Sequence, residues 1–310
     1  MSVLRYGVGI DFFSYQDNYL IVSNGEFLNT EYGFLILSQI CDYLGLGFQG
    51  VVASYATLTI LLFISFYSRF SNNILLSIYI FAMMPILYLA SFNVIRQFLA
   101  VAIFAYSIRF VFERKLILYV AFILFAAFFV HKSVLIMLPM YFLLSRNLNG
   151  RNYVVITSLY IISLQFIDFI MLKVGGSAIY LNGHFEDAGI NSLVFIYFIM
   201  FIFIFYLKRK LVSHKPENII FINMMFMCTL VYFTPLFSDL PSALFMRLTS
   251  FFTIAIPVVM VNVLPVFKNY RIRLLYFLGV ILAPTLYFYV TLIFKGGASK
   301  LTPYSTFIFN

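Results

Sequence analysis

The sequence predicts an all-α protein that crosses a membrane about ten times. Of its 310 residues, 63% are hydrophobic and 10% are charged, whereas a soluble domain carries about 25% charged residues. The apolar residues form many separate runs, several of which approach the ~20 residues that a helix needs to cross a bilayer core. Lysine and arginine concentrate in alternate breaks between the runs. These observations indicate a polytopic membrane protein with a single membrane domain over residues 1–310.

Ten apolar runs, separated by polar breaks, are the predicted transmembrane segments. They fall at roughly 48–67, 74–95, 97–112, 116–130, 133–145, 153–172, 191–207, 219–236, 247–266 and 274–294. The runs at 97–112, 116–130 and 133–145 are short for a span, so we expect them to be tilted, broken or half-buried in protein. Segment 32–47 is shorter and more polar, and it suggests an interfacial or re-entrant helix.

Two long polar stretches are predicted as loops on one side of the membrane. The first, 1–31, has no apolar run of its own, so we expect a transmembrane helix to be missing before Arg5. The second is 173–190, and a third polar break covers 237–246. The two cysteines, Cys41 and Cys228, lie far apart in apolar surroundings and are predicted to be buried thiols.

The net charge of +9 indicates orientation and not nucleic-acid binding. One set of breaks, with the adjoining helix end at Arg109, holds 13 of the 20 basic residues and only two acids, Glu113 and Glu217. The alternate set has the other seven basic and nine acidic residues. The positive-inside rule assigns the first set to the cytoplasm. The alternate set is therefore predicted to face outward.

Three cationic positions stand at helix starts on this outer side. They are Arg96 followed by Gln97, His131 followed by Lys132, and Arg247. An arginine in the first helical turn adds a forked donor to free backbone N–H groups, which suits a diphosphate. The same list would arise if each side chain extended independently to lipid headgroups. The residues alone leave both interpretations open.

The sequence contains no recognisable metal or nucleotide motif. No spaced His or Cys cluster, glycine-rich phosphate loop or Gly-x-Ser-x-Gly element occurs. Glu186 and Asp187 can either bind a divalent cation or remain solvated loop acids. We therefore predict no metal site and no cofactor.

Four stretches resemble the EpsG/Wzy group of bacterial polysaccharide polymerases. They are RYGVGIDFFSY at 5–15, EYGF at 31–34, NVIRQFLAVAI at 93–103 and FFVHKSVLIMLP at 128–139, and Arg247 fits a late arginine. The chain departs from the pattern in lacking a first membrane helix before Arg5 and in having Tyr32 where proline is more usual. The resemblance implies a membrane glycosyltransferase architecture of the GT-C-like type.

The resemblance also implies an activity and a location. The chain would be a bacterial inner-membrane enzyme whose active site faces the periplasm or cell exterior. It would transfer a growing glycan from undecaprenyl diphosphate to a lipid-diphosphate-linked repeat unit, as in capsule, exopolysaccharide or lipopolysaccharide O-antigen synthesis. Membrane lipid and a chain-length regulator protein are the other implied partners.

Roles for individual residues follow from that implied reaction. Arg96 and Arg247, assisted by Lys132, would hold the leaving diphosphate. Asp11 is the first candidate for the base that accepts the proton of the acceptor hydroxyl, and His131 is the second. His131 can equally donate to the diphosphate. The expected substrate contacts are Arg5, Tyr15, Glu31 and Gln97, with sugar stacking also expected near Tyr180.

Three other functions compete with the polymerase. One is a membrane acyltransferase, which also needs a histidine, but its usual companion Asn or Asp is absent beside His131. A ligase-like glycosyltransferase would use the same donor with another lipid acceptor, but such enzymes usually have a larger late outer loop than 173–190. A transporter or flippase of lipid-linked sugars would need charges deep inside its spans. Here only Asp168 and boundary residues such as Arg109 and Lys173 fit that description.

Overall fold

The computed structural model describes residues 2–174, 193–237, 242–297 and 300–307. The predicted all-α class is confirmed, since 77% of the chain is helical and no strand occurs in these ranges. Outside the described residues lie almost all of the predicted loop 173–190, with Tyr180, Glu186 and Asp187, and part of the break at 237–246.

The helices follow one another with short connections. In chain order they are α1 (Phe12–Ser23), α2 (Tyr32–Tyr43), α3 (Gly47–Phe70), α4 (Ile74–Met83), α5 (Ala90–Asn93), α6 (Ile95–Phe112), α7 (Leu116–Phe129), α8 (Met140–Leu144), α9 (Gly150–Val174), α10 (Leu193–His214), α11 (Asn218–Phe233), α12 (Ser242–Thr253), α13 (Ala255–Val263) and α14 (Tyr270–Lys295). Short 3₁₀ helices cover Lys132–Met137, Thr234–Leu236 and Leu264–Val266.

Several helices are long and apolar enough to cross a membrane. Within the described residues there are five such segments, Gly47–Phe70, Ile95–Phe112, Asn218–Leu236, Arg247–Val266 and Tyr270–Phe294. These segments make the chain a multi-pass membrane protein. The expected total of about ten spans and the GT-C-like architecture stay predictions.

The predicted runs 74–95 and 133–145 are not continuous α-helices. The run 74–95 is interrupted because α4 ends at Met83 and α5 begins only at Ala90. Pro85 explains the interruption, since proline lacks an N–H and pushes the preceding residue out of the helical region, and Met84 is indeed extended. The run 133–145 forms a 3₁₀ helix and then α8, so it is broken as expected.

The described residues divide into two compact units. One comprises Met1–Tyr141 with Met260–Asn310, and the other comprises Phe142–Val259. In the second unit, the buried Asn223 amide donates to the carbonyls of Leu144 and Arg146, 2.9 and 2.8 Å away, and accepts from the Tyr153 hydroxyl at 2.9 Å. That amide therefore satisfies carbonyls that the short α8 leaves without helical partners.

Helix α6 is the buried centre of the first unit. It packs between α3 and α7, and 78% of its span is buried. Small residues such as Ala100, Ala102 and Ala105 are fully enclosed and allow neighbouring helices to approach closely. Its 18 residues extend about 27 Å at ~1.5 Å per residue, close to a bilayer core.

The two ends of α6 carry different polar groups. Arg96 lies in its first turn, while its last turn is followed by Glu113, which pairs with Arg69 and Lys115 at 2.9 Å each. Glu113, Arg69 and Lys115 all come from breaks that the sequence assigned to the cytoplasm. The helix therefore separates two polar layers by about one membrane thickness.

The described terminal segments hydrogen-bond to each other. The Tyr6 N–H donates to the Ser305 carbonyl at 3.0 Å, and the Phe307 N–H donates to the Leu4 carbonyl at 3.2 Å. Gly9 is tied in the same way to the Lys300 carbonyl at 2.9 Å. Both segments consequently lie at the same end of the first unit.

Candidate active site

An ion pair between Arg96 and Glu31 forms the centre of the candidate site. Arg96 Nη1 lies 2.6 Å from Glu31 Oε2 and also donates to the Thr30 hydroxyl. That hydroxyl in turn donates to Glu31 Oε2 at 3.2 Å. The side chains of Arg96 and Glu31 are 20% and 9% exposed. The arginine therefore points into the protein, where a carboxylate supplies its counter-charge.

Two aromatic rings enclose the Arg96 guanidinium. Its carbon lies 5.4 Å from the ring centre of Tyr15 and 5.5 Å from that of Phe34. A cation is attracted to the faces of such rings, more strongly when water is excluded. The Arg96 Nε is buried and finds no hydrogen-bond partner among the described residues.

His131 contacts the other oxygen of the same carboxylate. Its Nδ1 lies 3.1 Å from Glu31 Oε1. Burial by itself would raise the Glu31 pKa, but the hydrogen bond with His131 and the charge of Arg96 outweigh it and lower the pKa to about 2. Glu31 is accordingly ionised at neutral pH, with both oxygens engaged.

A glycine allows α2 to bring Glu31 to His131. Glu31 immediately precedes α2, and a Cβ on Gly33 would lie 2.1 Å from the Phe129 carbonyl oxygen at the end of α7. Only a residue without a side chain permits that approach. The Tyr32 and Phe128 rings stack at 4.7 Å on the same contact. The EYGF stretch thus joins the start of α2 to the end of α7, two residues before His131.

A second glycine positions the N-terminal segment against the start of α6. Gly9 has φ of +104°, and a Cβ there would lie 2.9 Å from the Phe92 carbonyl oxygen. Next to it, the Ile10 N–H donates to Asn93 Oδ1 at 2.9 Å. Asp11 stands at the N-cap of α1. The Gly-x-Asp element is therefore held against Asn93, which precedes Arg96 by three residues.

A cavity of about 710 Å³ opens beside the ion pair. Its polar lining includes Thr30, Glu31 and Lys132, so Lys132 faces the same space as the Arg96 partner. The rest of the lining is mostly apolar and includes Phe27, Leu28, Tyr32, Leu35, Leu124, Ala127, Phe128 and Leu135.

Arg5 occupies a separate, smaller site in the same unit. It is 2% exposed, its guanidinium carbon lies 4.8 Å from the Phe92 ring centre, and it forms no ion pair with a described residue. Burial lowers its pKa to about 10. Arg5 lines a cavity of about 10 Å³ together with Tyr55 and Ser91. A buried cation of this kind is costly and is typical of a functional position.

The structure thus brings together many of the residues singled out from the sequence. Glu31, Arg96 and His131 are in contact, Tyr15 packs on Arg96, and Lys132 lines the adjacent cavity. Gln97 is buried in the first turn of α6. Arg247 is an exposed residue of α12 in the other unit, so its part in the site stays a prediction.

Three contributing residues were not singled out from the sequence. Thr30 directly precedes Glu31, and Phe34 follows three residues after it. Each contacts the Arg96 guanidinium. Asn93 holds the N-terminal segment through its side chain. A hydroxyl beside a helix-starting acid was a visible signal for Thr30. No local pattern marked Asn93, because its partner is 83 residues away.

In the described part of the chain, no group of three or more His, Cys, Asp or Glu residues is arranged to hold a metal ion.

No curated protein and no solved structure matches the chain. A family model does match, over residues 1–306, and it is the model of the EpsG family. The match agrees with the resemblance seen in the four quoted stretches and suggests a role in polysaccharide biosynthesis. With nearly its whole length matched, the chain belongs to the EpsG family.

Proposed function

We propose that the chain is a polysaccharide polymerase that transfers a growing glycan from a polyprenyl diphosphate to a lipid-diphosphate-linked repeat unit. The supporting observation is the cluster of Arg96, Glu31 and His131 at the start of a buried membrane helix, beside a cavity that Lys132 also lines. The protein lies in the inner membrane of a bacterium, and its active site faces the periplasm or cell exterior.

The cluster has the charge and donors that a diphosphate requires. Glu31 offsets one positive charge, and Lys132 adds another at the cavity wall. The first turn of α6 contributes the positive end of the helix dipole and backbone N–H groups without helical partners. A diphosphate that enters competes with Glu31 for Arg96, and a guanidinium can hold phosphate oxygens in a bidentate manner. Stabilising charge on the leaving diphosphate is the main catalytic contribution of Arg96.

The cavity composition fits a lipid carrier. Apolar side chains such as Phe27, Leu35 and Leu124 line most of its surface, and the polar side chains are gathered at Asn29–Tyr32 and Lys132. A polyprenyl diphosphate has the same division, an apolar chain ending in a charged group. The chain would lie along the apolar wall while the diphosphate meets the cations.

A reconstituted reaction tests this proposal. Purified protein is given lipid-diphosphate-linked repeat units, and the products are separated by glycan length. We expect a ladder of lengthened glycans from the wild type and its near-complete loss in Arg96→Lys, because lysine cannot bind bidentately.

Arg69→Lys is the matched control, since Arg69 also pairs with a glutamate, but at the opposite end of α6 from Arg96. We expect it to keep the ladder. A wild type that binds these lipids without lengthening glycans, or Arg96→Lys with full activity, would contradict the proposal.

A further inference from the structure

We propose that His131 is the catalytic base for the acceptor sugar hydroxyl and that Glu31 is the positioning residue that fixes its tautomer. This inference rests on the proposed polymerase function and deepens it. The observation behind it is the Glu31 carboxylate placed between two partners, with Oε1 3.1 Å from His131 Nδ1 and Oε2 2.6 Å from Arg96 Nη1.

The geometry determines which ring nitrogen of His131 carries the proton. An ionised carboxylate only accepts hydrogen bonds. The low Glu31 pKa keeps it ionised, so His131 Nδ1 must be the donor. In a neutral imidazole the other nitrogen, Nε2, then has the free lone pair. Carboxylate, imidazole and substrate hydroxyl would follow the order used by hydrolases with an acid–histidine pair.

The environment of His131 leaves Nε2 able to reach a substrate. No hydrogen bond joins Nε2 to a described residue, and 28% of the side chain is exposed. The neighbouring Lys132 lines the cavity next to Glu31. A base here would be next to the expected diphosphate position, and the hydroxyl must attack the sugar carbon attached to that diphosphate.

Arg96 contributes to the same arrangement. Without Arg96, the buried Glu31 carboxylate would tend to take up a proton. A protonated Glu31 can itself donate a hydrogen bond, so the proton on His131 would no longer be fixed at Nδ1. The Thr30 hydroxyl, which donates to the oxygen that Arg96 binds, adds a further constraint on carboxylate orientation. The cation thus supports the base as well as the leaving group.

The proposed step balances as follows. The acceptor oxygen forms a bond to the anomeric carbon of the donor sugar while the bond from that carbon to the diphosphate oxygen breaks. The diphosphate leaves with the bonding electron pair. The hydroxyl proton passes to His131 Nε2, giving an imidazolium paired with Glu31, and is later released to water. No redox partner is needed.

Nitrogen-15 NMR of histidine-labelled protein tests the tautomer without any activity. The chain has only three histidines, so replacing His184 and His214 by glutamine leaves His131 as the single signal. For the neutral form of the ring we expect the proton on Nδ1, and a shift toward the Nε2–H form in Glu31→Ala. An Nε2–H tautomer in the unsubstituted protein, or an imidazole protonated on both nitrogens, would overturn the proposal.

Kinetics of the glycan ladder supply the second test. We expect His131→Gln to lose about 10²–10⁴-fold in kcat, the usual contribution of a general base, with KM for the lipid substrate nearly unchanged. Glu31→Gln should lose less, and Glu31→Asp should recover part of the loss, since it restores a carboxylate.

The possible outcomes distinguish a failure of the proposed base from a failure of the proposed polymerase function. A wild type that makes no ladder overturns the polymerase and with it the base. A ladder that persists at wild-type kcat in His131→Gln overturns the base alone and leaves the polymerase standing. If His131→Gln fails to fold, the NMR result on the wild-type His131 still decides.

Discussion

Replacing Glu31 by glutamine is expected to destabilise the protein at neutral pH. The pKa of this carboxyl is lowered from 4.5 to about 2, and at about 1.4 kcal/mol per unit this corresponds to about 3 kcal/mol in favour of the ionised, paired form. Glutamine keeps the shape but removes the charge, and it leaves Arg96 buried without an acid. We therefore expect a loss on the order of 3 kcal/mol, which lowers the thermal midpoint by several degrees.

The sign of the pH dependence follows from the direction of the shift. Because the folded pKa lies below the unfolded one, the stabilisation is complete above about pH 4.5 and disappears as the pH falls toward 2. The difference between wild type and Glu31→Gln should accordingly be largest at pH 7, fall to less than half at pH 3 and be small at pH 2.

The two cysteines provide the assay. Cys41 and Cys228 are both buried and unpaired, so a fluorogenic maleimide reports unfolding of the detergent-solubilised protein as they become accessible. Glu26→Gln is the control, since Glu26 is exposed and forms no ion pair with a described residue. Equal midpoints for wild type and Glu31→Gln at pH 7 would refute the energetic role given to the ion pair.

Other substitutions test the construction of the site. Gly33→Ala places a Cβ 2.1 Å from the Phe129 carbonyl oxygen, so we expect a clear fall in thermal midpoint and in ladder formation, whereas Gly150→Ala, with no atom within 4 Å of its Cβ, should be neutral. Arg5→Met removes a buried cation and should raise the thermal midpoint in the same maleimide assay. It should also lower ladder formation, because Arg5 is an expected substrate contact. A lower thermal midpoint would refute this account. Thr30→Val removes one hydroxyl from the ion pair and should lower the free energy of unfolding by about 1 kcal/mol. Thr30→Ser should largely restore it in the same assay.

Much of the fold could be anticipated because membrane spans leave a strong compositional signal. The confirmed features are the helical class, the buried cysteines and the broken segment near 133–145. The sequence predicts one span over 74–95 because its apolar character continues past Pro85, and the break there shows this prediction to be wrong. Hydropathy is insensitive to the missing N–H that ends α4 there.

The site was predictable as a set of residue types but not as a set of contacts. Arg96, His131 and Glu31 each stood out as a polar residue beside an apolar run. Their mutual pairing depends on contacts 65 and 100 residues apart in sequence, which no local pattern contains. For the same reason the sequence suggested a phosphate as the anion for Arg96, although a carboxylate of the protein itself occupies that position.

The hydrogen bonds between residues 4–9 and 300–307 also limit the topology. Two segments that hydrogen-bond through their backbones in this way lie on the same side of the membrane. The polypeptide between them must therefore cross the bilayer an even number of times. Five qualifying segments in the described residues is an odd number. If all five segments cross the bilayer, at least one further crossing is needed, and reporter domains fused to the two ends should report the same side.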